Sequence, residues 1–234
     1  CSSFIQRAYD QISQDLCINN NPATILVIWG SLSAMNDVTH LCHYDIPLLS
    51  NIPNLIYLAP TNKDEYLAML DWSLEYKEHP VAIRVPLGIA MPTSRSVATN
   101  YSDINKYEVV TRGTEVAILG LGNFFALGER VCETLKSNGT NPTLINPRYI
   151  TGIDTALMES LKTDHKVVVT LEDGALDGGF GEKIARYFGN SSIKTLCYGA
   201  KKGFVDRYNI KQYLADNRLR EDLIAEDVIA ALRE

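Results

Sequence analysis

Short unbroken runs of aliphatic and β-branched residues alternate along the chain with segments whose apolar residues recur every three or four positions. These are the patterns of buried strands and amphipathic helices. Ile5, Ala8, Ile12 and Leu16 set a helical spacing over residues 3–17, with Ser2 and Ser3 as candidate caps. Residues 24–29 and 55–58 read as strands buried on both faces, because neither run is interrupted by a polar residue. Thr61 with Asp64 resembles a capping box, and Leu67, Leu70 and Leu74 predict the apolar stripe of the helix that follows. Residues 81–85 form a third strand, stopped by Pro86 and Gly88.

Residues 91–106 are rich in Ser, Thr, Asn and Asp without periodicity and read as a linker. Beyond it, strands are expected at 115–119, 143–145, 167–171 and 193–197. Helices are expected at 124–136, 154–162, 179–188, 210–216 and 221–233. Strand–helix alternation of this kind predicts an α/β fold of two mostly parallel, three-layer domains. Their expected spans are 1–91, an incomplete first domain, and 107–234, with 92–106 between them.

The 234 residues carry a net charge of -6, with 46% hydrophobic and 21% charged residues. An acidic chain whose densest basic cluster is Lys201-Lys202 argues against nucleic acid as a partner. No apolar run approaches the roughly 18 residues a membrane span needs. The start has neither a signal peptide's pattern nor a Met, so Cys1 reads as a cut or processed end. Five scattered cysteines without C-x-x-C spacing fit reduced thiols in the cytoplasm rather than a disulfide framework or a zinc site.

In parallel sheets, ligands sit beyond the carboxyl ends of strands, so the loops there are informative. The first reads W-G-S-L-S-A-M-N-D-V-T-H-L-C-H-Y-D and offers His40 and His43 with Asp37 and Asp45 nearby, a candidate acid/base cluster. The bland alternative is one exposed histidine and one that caps a turn. Gly120 and Gly122 open a helix but lack the third glycine and the acidic residue of a dinucleotide site, so a tight turn explains them. The run L-E-D-G-A-L-D-G-G-F-G-E-K-I could present backbone N–H groups to an anion or let another subunit approach closely.

Several segments, in register, resemble one family. F-I-Q-R-A-Y-D-Q-I, T-H at 39–40, I-P-N-L-I-Y-L-A-P-T-N-K-D-E, R-V-P-L-G and L-E-D-G-A-L-D-G-G-F-G are similar to motifs of the 1-deoxy-D-xylulose-5-phosphate synthases, which are transketolase-like enzymes. The resemblance implies part of a pyrimidine-binding domain followed by a transketolase C-terminal domain. It implies thiamine diphosphate and Mg²⁺ as cofactors, a 2-oxo acid and an aldehyde as substrates, and a homodimer. Phe4 would stack on the cofactor's aminopyrimidine, Arg7 would lie beside it, and His40 would carry protons or meet the acceptor.

Departures from the family pattern matter as much. Trp29 and Leu87 stand where the family has phosphate-binding arginines, Asn36 replaces an acidic residue of the substrate pocket, and Asp37 replaces a glycine. Neither Trp nor Leu reproduces bidentate arginine–phosphate bonding, so an altered acceptor is expected. The glutamate that activates the aminopyrimidine and the G-D-G…N motif for Mg²⁺ and diphosphate are not found in the sequence. The chain is therefore expected to be inactive without those parts. The alternative reading is a non-catalytic dimerisation or interaction module derived from the same family.

Overall fold

A computed structural model of the chain describes residues 1–85 and 93–233. Strands β1 (Thr24–Ile28), β2 (Ile56–Leu58) and β3 (Val81–Val85) form a wholly parallel sheet in the order β1-β3-β2. A second sheet joins β4 (Glu108–Thr111), β5 (Glu115–Gly120), β6 (Thr143–Asn146), β7 (His165–Ala175) and β8 (Lys194–Ala200) in the order β4-β6-β5-β7-β8. It is parallel except at its β4 edge, which pairs antiparallel with β6. The helices are α1 (Asp45–Leu49), α2 (Lys63–Glu75), α3 (Phe125–Ser137), α4 (Thr155–Leu161), α5 (Phe180–Phe188), α6 (Ile210–Asp216) and α7 (Glu221–Arg233). The α/β class with two mostly parallel sheets is thus as the alternation predicts.

Period-two alternation divides the second sheet's side chains between two cores. Val116 and Ile118 of β5 and Val169 of β7 face α3 and α7, where they meet Leu135, Ile224 and Val228. Ala117, Leu119 and Val168 face the opposite way and join Phe180 and Ile184 of α5 in one cluster with Ile56, Leu58 and Ile83 of the first sheet. The two sheets therefore share a core, which fixes the loops of one domain against those of the other.

Several expectations need correction. The N-terminal helix is broken into a 3₁₀ turn (Ile5–Ala8) and a π-helical segment (Gln11–Cys17). The buried residues of the latter, Ile12 and Cys17, are five apart, and i→i+5 winding brings such a pair onto one face. β1 is not buried on both faces. Among the described strands it pairs with β3 alone, and Leu26 and Ile28 are exposed while Val27 between them is buried. In α2 the cap is Asn62, whose Oδ1 accepts the Glu65 N–H at 2.9 Å. The helix buries Glu65, Met69 and Ser73, whereas Leu67 and Leu74 face outward. Glu65 can be buried because its carboxylate accepts the Thr61 N–H and hydroxyl and the Asn146 amide. β4 and α1 were not foreseen; both are too short to carry a periodicity.

The polar stretch after residue 92 has no regular structure but is docked. Tyr101 is buried and its carbonyl accepts the Tyr149 hydroxyl, while the Thr93 N–H reaches Asp64. The five cysteines are unpaired, and no helix among the described residues is long and apolar enough to cross a membrane.

Candidate functional site

The loop after β1 is divided by burial into two chemically different halves. Its inner half is a structural knot. Arg84 of β3 is buried and donates from Nε and Nη2 to the two oxygens of buried Asp45, at 2.6 and 3.1 Å. The Tyr57 hydroxyl adds a third bond to Asp45 at 2.6 Å, and Arg84 Nη2 also reaches the Asp173 carbonyl of β7 at 2.7 Å. Burial disfavours the guanidinium charge, but the Asp45 charge and bonds outweigh it and raise the Arg84 pKa. His43 is buried beside this pair. Burial first, and the Arg84 charge second, push its pKa down to about 4. Its Nε2 lies 3.0 Å from the Tyr208 hydroxyl. His43 and Asp45 therefore serve the domain junction, and the four-residue acid/base cluster suggested by sequence spacing is not formed.

The outer half of the loop carries His40 on a 3₁₀ turn (Val38–His40). Its ring stands edge-on to Phe4, with centroids 5.0 Å apart and planes at 84°. Phe4 begins the Ile5–Ala8 turn and is 41% exposed, and the Arg7 guanidinium carbon lies 5.8 Å from its ring centroid. Sequence places these three residues up to 36 positions apart, and the fold brings them together. The Ser2 N–H bonds the Ile28 carbonyl, and the Ser3 hydroxyl bonds the Leu41 carbonyl, lacing the N-terminal segment to the loop. Beside them opens a cavity of about 400 Å³ lined by Ser3, Gln6, Thr39, Tyr44 and the highly exposed Phe204.

Trp29 follows β1, is 41% exposed, and holds φ at 67°, a left-handed conformation uncommon outside glycine. Its N–H bonds the Val85 carbonyl at 2.7 Å. Asn36 turns its amide to the Tyr208 carbonyl. Leu87 lies outside the described residues. Sequence reasoning gave Thr39 no role beyond the T-H motif and passed over the C-terminal residues Asp206 and Tyr208, which touch this loop. The last two are some 170 positions away, and no local pattern announces them.

The glycine-rich run after β7 meets an anion, but an internal one. Glu172 is buried, and its carboxylate accepts the N–H groups of Phe180 and Gly181, both at 2.8 Å, at the start of α5. A Cβ at Gly179 would collide with that carboxylate, which is why the turn needs glycine there. Burial pushes the Glu172 pKa up to about 7, against the lowering effect of the two N–H bonds.

An exposed aromatic face with an imidazole edge and a guanidinium beside it suits a flat, polar heteroaromatic ring. The arrangement fits the aminopyrimidine end of thiamine diphosphate. Among the described residues, no three His, Cys, Asp or Glu side chains come together as a metal site.

Residues 1–90 match the family description "Transketolase, pyrimidine binding domain", and residues 105–216 match "Transketolase, C-terminal domain". The 1-deoxy-D-xylulose-5-phosphate synthase of Rippkaea orientalis is 33% identical over 232 residues, covering 97% of this chain and 36% of that protein. The synthase of Pseudoalteromonas translucida is 36% identical over 208 residues, covering 87% and 32%. The chain thus spans about a third of the length of these curated relatives. Among solved structures, a split gene transketolase described as an inactive beta4 tetramer aligns with a TM-score of 0.84 at 21% identity. That alignment covers 99% of this chain and 74% of the other. A transketolase mutant from Pichia stipitis aligns at 0.77 with 14% identity, covering 99% and 33%.

Proposed function

We propose that this chain, which belongs to the transketolase-like, thiamine-diphosphate-dependent family that includes the 1-deoxy-D-xylulose-5-phosphate synthases, supplies the aminopyrimidine-facing half of a carboligase site. The remaining half, with the activating glutamate and the metal–diphosphate ligands, comes from sequence this chain does not contain. The observation that carries the reading is the exposed Phe4 face flanked by His40 and Arg7.

Thiamine diphosphate, when bound, supplies the electron sink on which a 2-oxo acid can lose CO₂ before transfer to an aldehyde. The chain's own residues bind and orient. Phe4 would stack on the ring, Arg7 would restrict its tilt and screen developing negative charge, and His40, once it has taken up a proton, would give that proton to the aldehyde oxygen as the new carbon–carbon bond forms. Trp29 and Leu87 take the place of two phosphate-binding arginines, so the acceptor is an aldehyde without a phosphate. At roughly 1.5–3 kcal/mol for each charged hydrogen bond, losing both arginines weakens a phosphorylated acceptor by several kcal/mol. By the resemblance, Asn36 and Asp37 stand where the family has an acidic residue and a glycine near the acceptor. The working assembly is a homodimer of the completed enzyme. The unpaired cysteines support a reducing, cytoplasmic setting.

Calorimetric titration of thiamine diphosphate with Mg²⁺ into the chain reconstituted with the complementary half tests the proposal. Heat of binding that weakens in Phe4→Ala is expected; no heat with either protein refutes it. The rival reading, a non-catalytic interaction module, draws on the open edge of β1 and its exposed Leu26 and Ile28. It predicts assembly without cofactor binding in the same experiment.

A further inference from the structure

The outer loop contains a hydrogen-bond chain whose direction follows from the chemistry of its members. Asp37 Oδ1 accepts the Thr39 N–H at 2.9 Å and lies 2.5 Å from the Thr39 hydroxyl oxygen. That same hydroxyl oxygen lies 2.8 Å from His40 Nδ1. A carboxylate only accepts, and a hydroxyl has one proton to give. The two bonds from Thr39 hold the Asp37 carboxyl below its usual range, in the ionised form. The Thr39 proton therefore points to Asp37, and its oxygen is left to accept from His40 Nδ1–H. Neutral His40 then carries its lone pair on Nε2.

The loop is held in this shape from the other domain. The Asn36 carbonyl accepts the Arg207 N–H at 2.5 Å, and the Asn36 amide donates to the Tyr208 carbonyl at 3.0 Å. On the other side of Asp37, the Val38 N–H donates to Asp206 Oδ1 at 3.1 Å. Both neighbours of Asp37 are thus pinned by residues 206–208. The His40 N–H closes the turn onto the Asp37 carbonyl at 2.9 Å.

We propose that Asp37 is a positioning residue which, through the Thr39 hydroxyl, keeps the His40 proton on Nδ1 and leaves Nε2 free to accept and return one proton beside the Phe4 face. Its logic is that of a carboxylate orienting a histidine base, with a hydroxyl inserted between them. The catalytic use of Nε2 rests on the function proposed above; the tautomer does not.

The test is long-range ¹H–¹⁵N correlation of the histidine side chains in the chain itself, at a pH where His40 is neutral. His40 is expected mainly as the Nδ1–H tautomer, whereas unconstrained imidazole favours Nε2–H. Asp37→Ala and Thr39→Val should each turn Nδ1–H from the majority into the minority form, and Thr39→Ser should retain it. A predominant Nε2–H tautomer in the unaltered chain, or Nδ1–H persisting in Asp37→Ala, overturns the proposal. If Asp37→Ala does not fold, the contrast between Thr39→Val and Thr39→Ser decides it, because a hydroxyl is the only group that differs in role. Asp206→Ala, which frees the Val38 N–H, should broaden the His40 signals without moving the buried His43 signals. A failed cofactor titration would leave these tautomer results intact, and a failed tautomer result would leave cofactor binding intact, so the two claims can fall separately.

Discussion

Removing one partner of the Arg84–Asp45 pair should destabilise the chain more than removing both. Arg84→Met leaves the Asp45 carboxylate at about 1% exposure, with the Tyr57 hydroxyl as its remaining side-chain donor among the described residues, and leaves the Asp173 carbonyl without its guanidinium. Breaking a buried ion pair from one side costs about 3–5 kcal/mol, because an uncompensated charge stays in the interior. That is a large part of a domain's total stability, typically about 5–15 kcal/mol. Asp45→Asn should cost a similar amount, since a neutral amide cannot offset the guanidinium charge and turns an N–H toward one of its two donors. In Arg84→Met/Asp45→Asn neither charge of the pair remains, and the loss should shrink toward the roughly 1–3 kcal/mol of unsatisfied polar groups. The predicted coupling is therefore several kcal/mol, of the sign that makes the double variant milder than the sum.

Urea unfolding followed by far-ultraviolet circular dichroism and by tryptophan fluorescence measures it. Trp29 and Trp72 report on the first domain, and coincidence of the two probes shows whether the domains unfold together. A single-variant loss below about 1 kcal/mol, or losses that simply add, would refute the view that this pair is a buried, mutually compensating junction. Because Arg84 joins β3 to the β7 carbonyl as well as to α1, the variants should also separate the two transitions if the first domain melts alone.

Three further outcomes are expected. His43 has a folded pKa of about 4 against 6.5 unfolded, so its contribution is complete above pH 6.5 and is lost as pH falls toward about 4. The total is about 3 kcal/mol at the usual 1.36 kcal/mol per unit, and His43→Phe should flatten that part of a stability–pH curve. Glu172 works in the opposite sense. Its folded pKa of about 7 lies above the usual 4.5, so its contribution is complete below pH 4.5 and falls away as pH rises through about 7. Glu172→Gln should remove that decline, at a cost of about 1–3 kcal/mol at low pH for the N–H of Phe180 or Gly181 that loses its acceptor. A curve unchanged by the substitution would contradict the assignment. Finally, Phe4→Ala should weaken cofactor binding in the reconstituted enzyme by about 0.5–1.5 kcal/mol, the typical value of an aromatic pair. Its urea midpoint should barely move, since the ring is 41% exposed.

Much of this protein is legible from one sequence. The mainly β-branched and aliphatic runs at 81–85 and 167–171 read as strands, and both are. The helices Ile210–Asp216 and Glu221–Arg233 fall where their periodicity puts them. The motifs around Phe4, the T-H pair and the glycine-rich run carry the family, because each is a local string with a fixed register. What sequence could not determine is whatever depends on partners far along the chain. β1 looks like an interior strand because hydrophobicity does not say which edge will be paired. α2 buries Glu65 rather than Leu67 because Thr61 and Asn146 satisfy that carboxylate, and Asn146 is 81 residues away.

The loop after β1 shows the same division. Spacing grouped His40, His43, Asp37 and Asp45 as one cluster. Packing then sent His43 and Asp45 inward, to Tyr208 and Arg84, and left His40 and Asp37 outside. A sequence specifies which groups are available and which local bonds are in reach. Only the folded chain decides which of them water still touches, because burial is set by the sum of distant contacts, and burial sets whether a histidine is a proton carrier or a piece of the core.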